Sequence, residues 1–368
     1  MRSARWPESG WPLAALVAAA AVVRFATLDV QSLWYDEGQT VDVLRAGLGD
    51  LIGTAVPDTQ NFPPLYFVLA WAWTKVFGLG EVGLRSLSAL CGTLAVLVTY
   101  FAGAALATRR AGLAAAVLAA FSPLLVWYSQ EARPYELLVA AGALSIVLFA
   151  RARETPSAGR LTAWAACGAV AVLTHYFAVF LLAAEGALLL AAHGRRILAP
   201  AGALAMVTAA LVPLALHQES SGRGDTIADT GLWDRVRTLP NRFLLGEQGS
   251  PGADYGWVHA LLYPLLALAL LAGWLAWRRT RGAERCGAAT AALLGAACAA
   301  GPLVLAVLGY DFVASRNLIL AWVPLAVVAG CGFASVSRTR WAGPAAMAAL
   351  SLTVLAILGV SIALALNR

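Results

Sequence analysis

Residues 63–77 read PPLYFVLAWAWTKVF, an apolar run that stops short of what a bilayer demands. A helix that spans the hydrocarbon core takes about 20 apolar residues. How this segment is read decides the architecture, because it stands among many longer runs. Those runs are 11–28, 84–107, 111–128, 136–150, 161–175, 177–192, 198–216, 257–277, 286–308, 318–336 and 344–366. Lipid offers free backbone groups no partner, so each run is expected to be a helix. The shorter ones are expected to borrow neighbouring loop residues.

Charge between the runs assigns 63–77. The short loops carrying Arg109–Arg110, Arg151–Arg160, Arg195–Arg196, Arg278–Arg285 and Arg338–Arg340 are basic. They alternate with loops that are acidic, aromatic or mixed. Basic loops favour the cytoplasmic side. With Arg2 and Arg5 also inside, every basic loop is cytoplasmic only if 63–77 does not cross. The segment is therefore read as a re-entrant or interfacial helix. The predicted fold is an all-α polytopic membrane protein with about eleven transmembrane helices, this extra helix and no large soluble domain. Residues 1–216 form a module with a first outer loop at 29–83. Residues 217–256 form a second outer loop, and 257–368 carry the last spans.

Composition agrees. The 368 residues are 60% hydrophobic and 12% charged, with mean hydropathy +0.74. A soluble domain carries roughly twice that charged fraction. The net charge of +6 is read as the cationic loops that orient the spans, which argues against nucleic acid as a partner. Cys91, Cys167, Cys286, Cys298 and Cys331 lie in apolar runs without CxxC spacing, so they are read as core residues. No cleavage signal follows the first run, which is expected to be retained as a span.

The face opposite the basic loops collects 29–83, YSQEARPY (128–135), THYF (174–177), 217–256 and GYDFVASRN (309–317). Asp36 and Glu37 stand where the first span should end. They can begin a solvated interfacial helix, where acids suit the N-terminus. Alternatively one is a general base and the other orients an acceptor or a cation. Glu131 and Arg133 can neutralise each other at a helix cap. If they face a cavity, the planar guanidinium of Arg133 suits a phosphate and Glu131 an acceptor. Arg85, Lys75 and Arg316 are further cations at membrane depth, either functional or snorkelling. His175 and Tyr176 can be structural, or can touch a phosphate or sugar hydroxyl. Arg24 receives no assignment. In 217–256, Leu232, Trp233, Val236 and Leu239 predict an amphipathic helix that guards lipid entry or simply covers the surface.

WYDEGQT, NFPPLYFVLAW, LRSLSALCGTLAVLVTYFAG, YSQEARPYELL and LTHYF occur in that order between residues 34 and 177. This set resembles the GT-C membrane glycosyltransferases of the protein-mannosyltransferase and aminoarabinose-transferase type. The resemblance implies a polyprenyl-phosphate sugar donor, delivered at the outer face; the alanine-, leucine- and arginine-rich composition suggests a bacterium, so the membrane is read as a bacterial plasma membrane. The resemblance also implies inverting transfer to a lipid, glycan or protein hydroxyl. Asp36 matches the base and Glu37 its neighbouring acid. Glu131 and Arg133 match a motif near acceptor and donor phosphate, and Arg85 opens the LRxxSAL helix. No cofactor is implied, and a divalent cation is not predicted. Many relatives carry His where this chain has Phe62, and the short chain favours a lipid or glycan acceptor. The competing readings are a transporter or flippase and a non-catalytic scaffold. The former predicts mid-membrane charge pairs and internal repeats, which the sequence does not display.

Overall fold

A computed structural model of the chain describes residues 10–220, 230–247 and 256–336. The expected span 344–366, the Arg338–Arg340 loop, Arg2 and Arg5 lie outside the described residues.

The described residues are helical, with turns between. Helix α1 (Trp11–Phe25) leads through a short link to α2 (Tyr35–Arg45). Irregular helical turns over Leu48–Thr59 follow, then α3 (Leu65–Phe77) and α4 (Glu81–Leu106). Next come α5 (Arg109–Phe121), α6 (Pro123–Ser129), α7 (Tyr135–Glu154), α8 (Ala158–Thr174) and α9 (Ala178–His193). The series continues with α10 (Leu198–Ala210), α11 (Val212–Glu219) and α12 (Leu232–Leu245). It closes with α13 (Gly256–Arg279), α14 (Gly282–Val307) and α15 (Trp322–Val336), the last entered through a turn at Ser315–Ala321.

Local chemistry sets the boundaries. Thr108, Ser122 and Ser157 accept N–H bonds from the first turns of α5, α6 and α8. Pro123 cannot donate to α5, and the chain bends 58° into α6. Gly78 (φ +82°) ends α3, and Gly194 (φ +56°) ends α9, in the left-handed region that favours glycine. Arg109 and Arg110 sit in the first turn of α5, where the helix dipole disfavours cations. Membrane topology accounts for them better than local helix energetics.

Among the described residues, five stretches are long and apolar enough to cross a bilayer: Glu81–Leu106, Tyr135–Glu154, Ala178–Glu219, Glu284–Val307 and Ser315–Ser335. The bent pair α5–α6 makes a sixth. This is a multi-pass membrane protein. The stretch Ala178–Glu219 has 42 residues, which at 1.5 Å each is about 63 Å, twice a hydrocarbon core. It turns back at Gly194, so that α10 packs on α8. With 13 residues, α3 rises only about 20 Å against a core of about 30 Å.

The bundle centres on α4, which packs against α7, α5, α1, α6 and α3. Glycines allow the closest approaches: a Cβ on Gly103 would stand 2.7 Å from Cα of Gly112. A second, smaller apolar cluster joins α5, α14 and α15 through Ala111, Ala115, Ala291, Val327 and Cys331. Helix α12 is amphipathic as expected, with Leu232, Val236, Leu239 and Phe243 half-buried. Trp233 departs from the expected face: it is 68% exposed, with the Arg237 guanidinium 6.0 Å over its ring. One residue is 100° around a helix, which carries it off the 232/236/239 stripe.

Candidate active site

The first turn of α2 divides two adjacent carboxylates. Glu37 closes back on the Trp34 N–H and turns inward, fully buried. Arg85, in the opening turns of α4, meets it with two bonds, Nε to Oε1 at 2.8 Å and Nη2 to Oε2 at 2.6 Å. The remaining Arg85 donors reach the carbonyls of Leu28, Gln31 and Ser32. Ala132 N–H adds a bond of 3.0 Å to Glu37 Oε1. The pair thus ties the end of α1, the start of α2, α4 and the 130–133 turn at one point. Its bidentate geometry offsets the cost of burying both charges. Both residues were expected to meet substrate. With every Arg85 N–H already bonded and Glu37 enclosed, they are anchors of the site in this structure.

Asp36 remains partly open, at 24% side-chain exposure. Trp34 and Tyr35 do not bury it, being 42% and 77% exposed themselves. Arg133 Nη2 lies 3.9 Å from Asp36 Oδ2. Arg133 itself is buried and rests 4.9 Å over the Phe62 ring. Its Nη1 donates to Gln60 Oε1 at 2.8 Å, with longer contacts to the Asp36 carbonyl and Thr40 Oγ1. Its Nε has no hydrogen-bond partner. Glu131 accepts from the Trp127 indole at 2.6 Å and is buried beside it.

His175 caps the end of α8. Its Nδ1 accepts from the Phe177 N–H at 3.2 Å, which leaves Nε2 as the protonated nitrogen. That nitrogen is buried without a partner. Burial, then the Arg316 and Arg133 charges, push its pKa down to about 3, so the imidazole is neutral. The ring stands 5.1 Å from Phe62, 6.1 Å from Tyr135 and 5.4 Å from Phe177. An imidazole therefore meets the Phe62 ring from the 174–177 turn.

Arg316 enters from the 309–317 segment. Its guanidinium makes no hydrogen bond or ion pair among the described residues. Tyr135, Tyr128, Asp36 and Glu131 stand around it. It is a permanent cation near Asp36, the carboxylate that Arg133 also approaches. The structure thus brings Asp36, Glu131, Arg133, His175 and Arg316 together from four segments distant in the chain.

Tyr176 does otherwise. Its hydroxyl donates to Gln218 Oε1 at 2.8 Å, and Gln218 Nε2 reaches the carbonyls of Val56 and Phe62. This strut brackets Gln60, the partner of Arg133. Lys75 is exposed, 4.8 Å over Trp71, and takes no part. Sequence reasoning passed over Gln60, Gln218 and Trp127. The one signal for Gln218 was a polar residue closing an apolar run. Among the described residues, no three His, Cys, Asp or Glu side chains gather where they could hold a metal ion.

Residues 61–217 match the family Dolichyl-phosphate-mannose-protein mannosyltransferase. No curated protein sequence matches the chain. Among solved structures, ArnT from Cupriavidus metallidurans bound to undecaprenyl phosphate is similar at TM-score 0.59 and 19% identity, over 97% of this chain and 72% of that one. The archaeal oligosaccharyltransferase AglB from Archaeoglobus fulgidus, in complex with an inhibitory peptide and a dolichol-phosphate, is similar at TM-score 0.58 and 15% identity. That match covers 98% of this chain but only 56% of the archaeal one. Fold and motif order converge: the chain has the GT-C fold of these membrane proteins, and residues 61–217 carry the family match.

Proposed function

We propose that the protein is an inverting glycosyltransferase that moves a sugar from a polyprenyl monophosphate to a hydroxyl of an envelope lipid, glycan or protein. The reaction runs at the outer face of a bacterial plasma membrane, with Asp36 as general base. One observation carries this reading. Arg133 Nε and His175 Nε2 are buried donors without a partner; Arg133 and Arg316 both act on the partly open Asp36 carboxylate, and His175 stands near these two cations. Each buried donor left unbonded costs about 1–3 kcal/mol, which an anionic ligand would relieve. Two fixed cations and a neutral donor suit a phosphate that gains charge as it leaves.

The step balances without a cofactor. The acceptor oxygen attacks the anomeric carbon, and the bond from that carbon to the phosphate oxygen breaks. The electron pair departs with the phosphate, stabilised by Arg133 and Arg316. Asp36 takes the acceptor proton. A single displacement inverts the anomeric centre. Glu131, held by Trp127, orients the acceptor, while Glu37 and Arg85 hold the frame. ArnT and AglB were solved with polyprenyl and dolichol phosphates, which supports a donor of that class.

The test is a transfer assay on purified protein in lipid, with a panel of polyprenyl-phosphate sugars and envelope glycolipid extracts. Wild type should consume one donor, and folded Asp36→Asn should lose most of that rate. Full rate in the variant removes Asp36 as base. No consumption of any donor by wild type returns the transporter reading.

A further inference from the structure

Arg24 has no part in the reaction above, yet its side chain is fully buried within the apolar α1. Its Nε donates to Ser129 Oγ at 3.0 Å. Its Nη1 reaches the carbonyls of Ala120 at 2.8 Å and Ala20 at 3.3 Å, and Nη2 reaches that of Ala119 at 2.9 Å. Ala119 and Ala120 belong to the last turn of α5. The helical donor for the Ala119 carbonyl would be the nitrogen of Pro123, which carries no hydrogen. Arg24 supplies donors where the bend removes them.

The relation is reciprocal. Gln130 Nε2 donates to Thr27 Oγ1 at 2.6 Å and to the carbonyls of Val23 and Arg24 at 3.3 and 3.4 Å, at the closing turn of α1. Each segment's side chain caps the other's helix end. The junction is crowded. A Cβ on Gly92 of α4 would lie within 3.0 Å of Ser129 Oγ, Glu136 Oε2 and Arg24 Nε together. Glu136 is fully buried, and neither of its oxygens has a hydrogen-bond partner. It stands beside Arg24, and glycine at 92 leaves room for all three side chains.

Ser129 and Gln130 run directly into Glu131, Ala132 and Arg133. We propose that Arg24 is a positioning residue: it fixes the bend between α5 and α6 and thereby places the 130–133 turn. Its effect on transfer rests on the reading of function above, whereas the placement of the turn does not. An apolar side chain would pack α1 equally well, but would supply no directed donors to two carbonyls and a hydroxyl.

The test uses indole ¹⁵N NMR on the full chain in lipid nanodiscs. The Trp127 indole, bonded to Glu131, reports the turn. The Trp164 indole, bonded to Glu185 Oε2 at 2.7 Å between α8 and α9, reports the rest of the bundle. Arg24→Lys, and the milder Ser129→Ala, should shift the Trp127 resonance and leave Trp164 in place. Where wild type transfers sugar, kcat should fall roughly 10- to 100-fold in Arg24→Lys, with the acceptor KM little changed, as misplacement of a catalytic group predicts. If Arg24→Lys does not fold, Ser129→Ala carries the test. An unmoved Trp127 in the folded variants, or a Trp164 that moves as far, overturns the proposal. If Trp127 responds while wild type transfers no sugar, the positioning role stands and the transferase reading falls.

Discussion

Asp36 and Glu37 are consecutive residues of one helical turn with opposite surroundings. Glu37 accepts four N–H bonds, from Trp34, Ala132 and twice from Arg85, and has no exposure. Asp36 has one long ion pair and remains partly open. A step of 100° along a helix suffices to send one carboxylate into the bundle and leave the other at its mouth. The two acid–arginine pairs therefore divide the labour. Glu37–Arg85 closes the frame, and Asp36–Arg133 is the looser pair, the one proposed to react. Charges at a membrane face cannot all be assigned to chemistry because they sit side by side.

The sharpest way to break this comparison is to remove each charge at nearly constant shape. Asp36→Asn should lower the transfer rate by about 10²–10⁴, the usual worth of a general base, while thermal stability barely changes. Glu37→Gln should do the reverse. It leaves Arg85 buried without its counter-charge, a loss of about 3–5 kcal/mol read as lower Tm and poor yield of monodisperse protein. A Glu37→Gln protein that folds normally and loses only rate would exchange the two roles.

The cations sharpen the same contrast. Arg316 has donors to offer, and Arg85 has none left. Arg316→Gln should weaken binding of a polyprenyl monophosphate about 10- to 100-fold in titration calorimetry, the worth of charged hydrogen bonds. The affinity should also depend less on salt. Arg85→Gln should reduce the fraction of folded protein and leave the affinity of that fraction alone. Equal losses of affinity in both variants would mean that the Glu37–Arg85 pair opens to bind ligand.

Much of this was legible in the chain. Apolar runs longer than a soluble core requires announce the helices, except that the run expected over 111–128 breaks at Ser122–Pro123. Polar residues at the span ends on one face single out Asp36, Glu131, Arg133, His175 and Arg316. What could not be read is pairing. Glu37 and Arg85 lie 48 positions apart, and Gln60 and Arg133 lie 73 apart. Local pattern carries no record of which acid reaches which guanidinium. Gln60 and Gln218 are ordinary amides whose weight comes only from burial beside Arg133 and the 56–62 backbone. The sequence reads Tyr176 and His175 together, as structural or as contacts to a phosphate or sugar hydroxyl; the turn sends the two side chains in different directions, Tyr176 toward Gln218. The face of α12 was misjudged at Trp233 for the same angular reason.

His175 offers the smallest and most diagnostic effect, because its sign is fixed by its surroundings. Its pKa is lowered to about 3 by burial and by Arg316 and Arg133, whereas an unfolded histidine titrates near 6.5. Between those values the unfolded state holds the extra proton. Folding stability attributable to this residue should therefore be fully present above pH ~6.5 and fall toward pH ~3, by at most about 1.4 kcal/mol per unit. His175→Asn removes that slope. Subtracting its melting profile from that of wild type, each measured between pH 5 and 8, isolates the contribution. The pH–rate curve should likewise show no inflection near 6.5 that disappears in the variant. A wild type that instead gains stability from His175 as pH falls would mean that an anion holds the imidazole charged. The site would then carry three cations rather than two, and His175 would meet the bound anion as a charged partner and not as a neutral donor.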